Sequence, residues 1–262
     1  MSGILQAVAA IGPQTVLITM SASTSNYNLF TAAGSPAYPV DLTLTIDSGV
    51  LLYSTSTATP AMTIGSSWVA GSRLRIVNNG TIIGKGGAGG TGGQATQSTP
   101  YVYGSATAGT NGGDAISAAF AVTIQNNGAI VAGGGGGGGG GAAVNAGLYV
   151  YYGAGGGGGG GAYDGAGGSG GASGSQFGTY YATNGDAGTS TAGGNGGAGL
   201  SSGGTGGTGG AGGYGAAGSA GGVGSGNFAV DGSGGAGGQP GYAISGVSFV
   251  TLSGNAVVGP TV

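Results

Sequence analysis

Residues 132–142 read AGGGGGGGGGA, residues 154–162 read AGGGGGGGA, and residues 203–213 read GGTGGTGGAGG. These are the densest parts of a stretch, Gly84–Gly241, that holds most of the chain's 74 glycines. The state of this stretch decides the fold. A flexible linker is the ordinary reading of Gly/Ser-rich sequence. Collagen would need glycine at every third position with abundant proline, and the chain has only 7 prolines. The third state is a bundle of extended threefold helices with polyproline-II-like dihedrals, rising ~3.1 Å per residue with no internal hydrogen bonds. Without Cβ atoms, such helices approach closely enough to bond one another through their backbones. Ordering glycine costs ~0.5–1 kcal/mol per residue relative to alanine, so backbone pairing on several sides must offset it. The lengths favour the bundle: 84–93, 133–141, 153–161 and 203–213 would each span roughly 30 Å at that rise. Matched lengths serve stacked rods, whereas a linker has no need of them.

Between these blocks lie inserts of another composition. Gln94–Asn111 carries Tyr101 and Tyr103; Ala143–Tyr152 carries Leu148, Tyr149, Tyr151 and Tyr152; Ser175–Thr183 carries Phe177, Tyr180 and Tyr181. If each block is one rod, the chain runs out along 84–93, turns at 94–111 and returns along 112–119. It leaves again on 133–141, turns at 143–152, returns on 153–161, reverses at Tyr163-Asp164 and leaves on 165–174. The three tyrosine-bearing inserts then converge at one end. Beyond Leu200 the directions are ambiguous.

Outside the glycine stretch the chain reads as short strands. A motif of alternating apolar residues, a polar turn and a second apolar run occurs at 44–52 (LTIDSGVLL), 74–83 (LRIVNNGTII), 122–131 (VTIQNNGAIV) and 250–258 (VTLSGNAVV). The Asn-Gly and Ser-Gly steps are expected to supply positive φ at the turn, closing hairpins or cornering a β-solenoid whose copies stack in register. The fourth copy lies beyond the glycines, so the glycine region is an excursion anchored at both ends. No segment shows a sustained 3.6-residue apolar period. The expected fold is thus an all-β body of solenoid-like or hairpin repeats plus a bundle or sandwich of polyglycine-II helices, with little or no α-helix. The division expected is 1–84 as the β-rich part, completed by 243–262, with 85–242 as the glycine part.

Composition removes whole classes of chemistry. There is no cysteine and no histidine, so thiolates, disulfides, Cys/His metal sites and histidine bases are absent. Only 3% of residues are charged; Arg73, Arg75 and Lys85 are the only cations, and the net charge is −3. That leaves no electrostatic footprint for nucleic acid. No long apolar run suggests membrane insertion. Asp114, Asp164, Asp186 and Asp231 stand singly beside glycines, which suits turns better than paired catalytic carboxylates or calcium ligands. Gly84-Lys85-Gly86 fails the phosphate-loop pattern. No catalytic residue, metal or cofactor is expected.

The glycine blocks at 84–93, 133–141, 153–161, 192–199, 203–213 and 232–238, with aromatic inserts between them, resemble the receptor-binding adhesins at the tips of T-even-like bacteriophage long tail fibres. The resemblance implies a polyglycine-II sandwich whose distal loops bind a host outer-membrane protein or surface glycan. It also implies a β-rich end attached to a trimeric fibre shaft, at the distal tip of the virion's fibre. Tyrosines on loops present large rigid faces at low entropic cost. The expected receptor residues are therefore Tyr101, Tyr103, Leu148, Tyr149, Tyr151, Tyr152, Phe177, Tyr180 and Tyr181. Arg73 and Arg75, with Trp68 as core or docking anchor, are the expected fibre-attachment residues. Two other classes stay open: an ice-binding protein with flat Thr or Ala faces, and a structural glycine-rich linker.

Overall fold

Alternating apolar residues and tight polar turns build a three-sided parallel β-solenoid. The computed structural model describes residues 12–96, 102–146, 150–161, 163–175, 178–189, 192–199, 215–224 and 230–262. The first coil is β1 (Gln14–Met20), β2 (Thr24–Ser25) and β3 (Tyr27–Asn28), followed by the one-turn helix α1 (Leu29–Ala32). The second is β4 (Val40–Ile46), β5 (Leu51–Tyr53) and β6 (Met62–Ile64). In the third, β7 (Arg73–Asn78) and β8 (Thr81–Ile83) are separated from the closing strand by a glycine excursion carrying β9 (Ala95–Thr96) and β10 (Val102–Tyr103). That closing strand is β11 (Ile116–Ala118). The fourth coil has β12 (Val122–Asn126) and β13 (Ala129–Val131), then the long excursion with β14 (Ala143–Ala146), β15 (Val150–Gly153), β16 (Ala172–Ser175), β17 (Gly178–Tyr181) and β18 (Val230–Asp231). It closes with β19 (Ile244–Ser245), and β20 (Val250–Gly254) opens a fifth.

Like strands stack on like. The first face has the order β1-β4-β7-β12-β20, the second β2-β5-β8-β13 and the third β3-β6-β11-β19. Every pairing within these faces is parallel. Of the two geometries open to the repeated motif, the hairpin is therefore excluded. The four copies read from sequence are the corners β4–β5, β7–β8, β12–β13 and the start of the fifth coil. β1–β2 is a further copy, with no glycine at its turn. Its presence follows from register, Val16 opposite Leu42 and Ile18 opposite Leu44.

Inward side chains form continuous columns. Leu44, Ile76 and Ile124 are all 0% exposed and stack in register. The third-face corner holds Phe30, Trp68 and Phe120, with Phe30 edge-on to Trp68 at 5.1 Å between centroids. One column is polar: Asn78 and Asn126 are fully buried one above the other. Asn78 Nδ2 donates to Asn126 Oδ1 at 2.8 Å, and Asn78 Oδ1 accepts from Gly80 N. Asn126 Nδ2 continues the chain of bonds to Asn255 O. Buried amides are tolerated because each finds partners at the bend, where strand ladders leave backbone groups free.

The Ser-Gly steps supply positive φ as expected, at Gly49 (+81°) and Gly254 (+91°), but the Asn-Gly turns do not. Gly80 and Gly128 are not at positive φ; they are required by close approach. A Cβ on Gly80 would lie 2.4 Å from Val50 O, and one on Gly128 2.0 Å from Gly80 O.

Both glycine excursions leave between the second and third faces, the corner opposite the first face. Nine described extended segments follow: 84–93, 104–113, 133–141, 154–161, 165–171, 182–188, 193–199, 216–224 and 232–241. They bond laterally with a period of three. Gly87, Gly90 and Gly93 donate to Gly134, Gly137 and Gly140, in parallel. Gly133, Gly136 and Gly139 donate to Gly113, Thr110 and Thr107, antiparallel. Gly135, Gly138 and Gly141 donate to Ala216, Ser219 and Gly222, while Gly137 and Gly140 donate to Gly159 and Gly156. Segment 133–141 thus donates in three directions, and it also accepts from 84–93 and 232–241. A flexible linker does not describe these segments.

Glycine content tracks position. The all-glycine segments 133–141 and 155–161 are buried throughout. In 232–241 every third residue, Ser233, Ala236 and Gln239, faces solvent while Gly232, Gly235, Gly238 and Gly241 are buried. Segment 104–113 lies at the edge and needs glycine against 133–141 only at Gly109 and Gly112, where a Cβ would meet Gly136 O and Gly133 O; at its solenoid end Gly113 is also crowded, by the Thr57 backbone. That is why its start, SATAGTN, passed for a loop; the turn is shorter than expected, and the return segment begins at Gly104. At such edges, side chains stand in for the missing neighbour. Thr110 Oγ1 accepts from Ala88 N and Thr107 Oγ1 from Thr91 N, both at 2.7 Å.

Residues 116–131 belong to the solenoid rather than to a continuous glycine unit over 85–242. The reversal at Tyr163-Asp164 lies at the solenoid end: Lys85 Nζ is 3.8 Å from Asp164 Oδ2, and the Tyr163 ring packs on Tyr53. Burial, then the charges of Asp164 and Tyr53, push the Tyr163 phenol above its ordinary value. Its folded pKa thus exceeds the unfolded one, near 10. The contribution of the neutral phenol is intact below about pH 10 and lost as pH rises through the folded pKa. Titration above pH 10, followed by thermal melting, should show a loss of stability that Tyr163→Phe reduces. Equal alkaline loss in both proteins would exclude this junction as its source.

Candidate functional site

Segments 84–93, 133–141, 165–171, 193–199 and 216–224 run out from the solenoid, and 104–113, 154–161, 182–188 and 232–241 return, so the links at the far ends gather. After 84–93 come β9 and β10; after 133–141, β14 and β15; after 165–171, β16 and β17. These links form small sheets of the orders β10-β9-β16-β17 and β15-β14-β18. β14–β15 is an antiparallel hairpin placing Tyr152 opposite Val144 and Tyr151 opposite Asn145. β16–β17 is a second, with Tyr180 opposite Ser173 and Tyr181 opposite Ala172. Ala95 of β9 pairs with Ser173, joining the first excursion to the second. β15 lies beside both β9 and β16.

The convergence expected from the direction count is therefore present. It brings together the strands bearing Tyr103, Tyr151, Tyr152, Tyr180 and Tyr181. Tyr101, Leu148, Tyr149 and Phe177 lie outside the described residues. One contributor went unplaced by sequence reasoning: β18, reached after 216–224, pairs Val230 with Val144 and Asp231 with Ala143. The signal was available in the return of 232–241 toward the solenoid, which puts 230–231 at the far end. Among the described residues of these strands Asp231 is the one carboxylate. The group is otherwise neutral and aromatic, suited to stacking and hydrogen bonding rather than to charge recognition.

The expected attachment residues lie elsewhere. Arg73 and Arg75 project from the outer side of the first face, opposite the corner from which the glycine segments depart. Arg73 Nη1 is 3.6 Å from Asp41 Oδ2, a solvated pair of little energetic weight. Arg75 Nη2 donates to Gln125 Oε1 at 2.9 Å. Between them runs an open groove of about 300 Å³ lined by Asp41, Thr43, Arg73, Arg75 and Thr123. Trp68 is corrected to a core residue: 5% exposed and flanked by Phe30 and Phe120, its ring is not offered to a partner. Among the described residues no cluster of three or more acidic, cysteine or histidine side chains could hold a metal, and no helix is long and apolar enough to cross a membrane.

Comparison with known proteins gives a consistent assignment. The family model for the phage tail fibre adhesin Gp38 matches residues 15–262. No curated protein sequence matches the chain. Among solved structures, the crystal structure of the gp37-gp38 adhesin tip complex of the bacteriophage S16 long tail fibre is similar in fold, with a TM-score of 0.58 at 22% identity. The likeness covers 95% of this chain and 82% of that one.

Proposed function

The chain belongs to the phage tail fibre adhesin Gp38 family, and from that premise we propose a division of labour between its two parts. The solenoid attaches to a trimeric fibre shaft and holds the protein at the fibre's distal tip. The excursion segments are polyglycine-II helices assembled as a rigid sandwich; the threefold recurrence of their lateral bonds and their uniform avoidance of positive φ among described residues support this. The far-end strands, with the tyrosine inserts 94–103, 143–152 and 175–183, bind a host outer-membrane protein or surface glycan. Binding is the whole activity; no step of catalysis is assigned.

The observation carrying this reading is the gathering of aromatic links from separate excursions at the end remote from the solenoid. A scaffold alone has no need of long tyrosine-bearing links where a two-residue turn suffices, as Tyr163-Asp164 does at the other end. The ice-binding reading is disfavoured because Thr107 and Thr110 turn their hydroxyls to neighbouring backbone N–H groups. The purified protein should bind host outer-membrane fractions and block adsorption of the parent phage in a dose-dependent way. Adsorption unaffected by saturating protein would refute host binding.

A further inference from the structure

β20 is the outermost strand of the first face and pairs only with β12. The other two faces close the same way, Val258 bridging to Val131 and Thr261 to Ile244. No described element lies over this fifth layer, and the inward columns stop uncovered. The column Leu44, Ile76, Ile124 is 0% exposed at each level, but its next member, Leu252, is 39% exposed. Phe249, at the corner that Phe30, Trp68 and Phe120 fill in earlier coils, is 45% exposed. Val247, Val258 and Val262 are also exposed in this layer.

Two physical rules make this end anomalous. Terminal repeats of stacked proteins carry a polar outer layer, and exposed strand edges are blunted by charge or proline. Residues 243–262 contain no Asp, Glu, Lys or Arg, and Pro260 lies after the last strand. At the opposite end Met20 is buried and Val16 and Ile18 are partly covered, although the outward-facing Leu17 is 76% exposed; in the fifth layer Val250 and Val257 are partly covered, but Phe249, Leu252, Val258 and Val262 are not.

We propose that the open fifth layer is the seat of the fibre shaft protein, which covers it with an uncharged, apolar end of β structure continuing the stack. This rests on the reading that the solenoid is the attachment part, and it names the surface and the chemistry of the partner. Neutrality on this side selects against a charged partner, since unpaired charge desolvated against Leu252 and Phe249 would be costly. The free edge of β20 offers backbone donors and acceptors at the ~4.8 Å spacing of a following strand. Arg73 and Arg75, two strands away on the outer face, are then rim contacts rather than anchors.

The test is association of the purified adhesin with the fibre shaft protein of the same phage. Phe249→Ser with Leu252→Ser should weaken binding by at least about thirtyfold, the loss expected of two apolar anchors. Arg73→Ala with Arg75→Ala should change it by less than about threefold, as rim charges do. Val262→Ser, at the chain end, gives a milder loss that keeps the test readable if the double variant melts early. Undiminished binding of the apolar variants, with loss in the arginine variant, would overturn the proposal while leaving fibre attachment standing. A dimer of the unsubstituted chain that Phe249→Ser dissolves without affecting fibre binding would reassign the layer to self-association. An unsubstituted adhesin that does not bind the shaft at all overturns both readings.

Discussion

Gly138→Ala should unfold the packed glycine segments, although it adds one methyl group to a residue that is not at positive φ. The new Cβ would lie 1.9 Å from Gly235 O and 2.5 Å from its carbon. A backbone carbonyl has no rotamer by which to retreat. Carbon and oxygen tolerate roughly 3.3 Å, so segments 133–141 and 232–241 must part by more than an ångström. That breaks the bonds from Gly235, Gly238 and Gly241 to Gly139, Gly136 and Gly133. Each is worth about 1 kcal/mol net, and more where a buried donor is left without a partner. The opposing gain is small: alanine lowers the unfolded chain's entropy by the equivalent of ~0.4–1 kcal/mol. The expected net loss is about 3–6 kcal/mol, read from urea melts. Ala166→Ser and Ser169→Ala, at exposed third positions, should stay within about 0.5 kcal/mol of the parent. A Gly138→Ala protein as stable as these controls would disprove close backbone packing.

The same contrast explains what could be read from sequence and what could not. The all-glycine blocks announce themselves because an interior segment is hemmed in on every side and needs glycine at every position. An edge segment needs it once in three, and 104–113 therefore looks like a polar loop. Its role becomes visible only when Gly109 and Gly112 are seen against Gly136 and Gly133. The solenoid was legible through its Asn-Gly corners, yet those glycines answer to crowding rather than to φ. The first coil turns through Ser21-Ala22-Ser23, with no glycine to mark its corner. Trp68 could be read either as core or as docking anchor, since a single tryptophan carries no sign of which side of a wall it occupies. Its neighbours Phe30 and Phe120, 38 and 52 positions away, decide it. The far-end group was legible by counting directions from block lengths, up to the point where blocks became too irregular to count. β18 lies just past that point.

Replacing Tyr151, Tyr152, Tyr180 and Tyr181 together by serine should abolish adsorption while leaving the melting curve nearly unchanged. The two effects separate because of where these residues sit. The hairpins β14–β15 and β16–β17 are short links beyond the ends of the lateral bonding, and what holds the glycine segments together is backbone pairing among 84–93, 133–141, 154–161 and 165–171. Those bonds run from backbone to backbone. Recognition depends on the opposite inventory. On the proposed reading, strands whose described residues include Asp231 as their one carboxylate have the tyrosines as their main source of binding energy. Central tyrosines at interfaces typically cost about 2 kcal/mol or more when truncated. Loss of even two such contacts gives ~4 kcal/mol, a fall in affinity of about a thousandfold. Tyr38→Ser, exposed on the solenoid, serves as the control and should leave adsorption unchanged. The measurement is binding of labelled protein to host cells beside a thermal melt of each variant. A quadruple variant that still binds fully would move recognition away from these strands. One that binds specifically but melts early would make the tyrosines end caps of the glycine segments rather than receptor contacts.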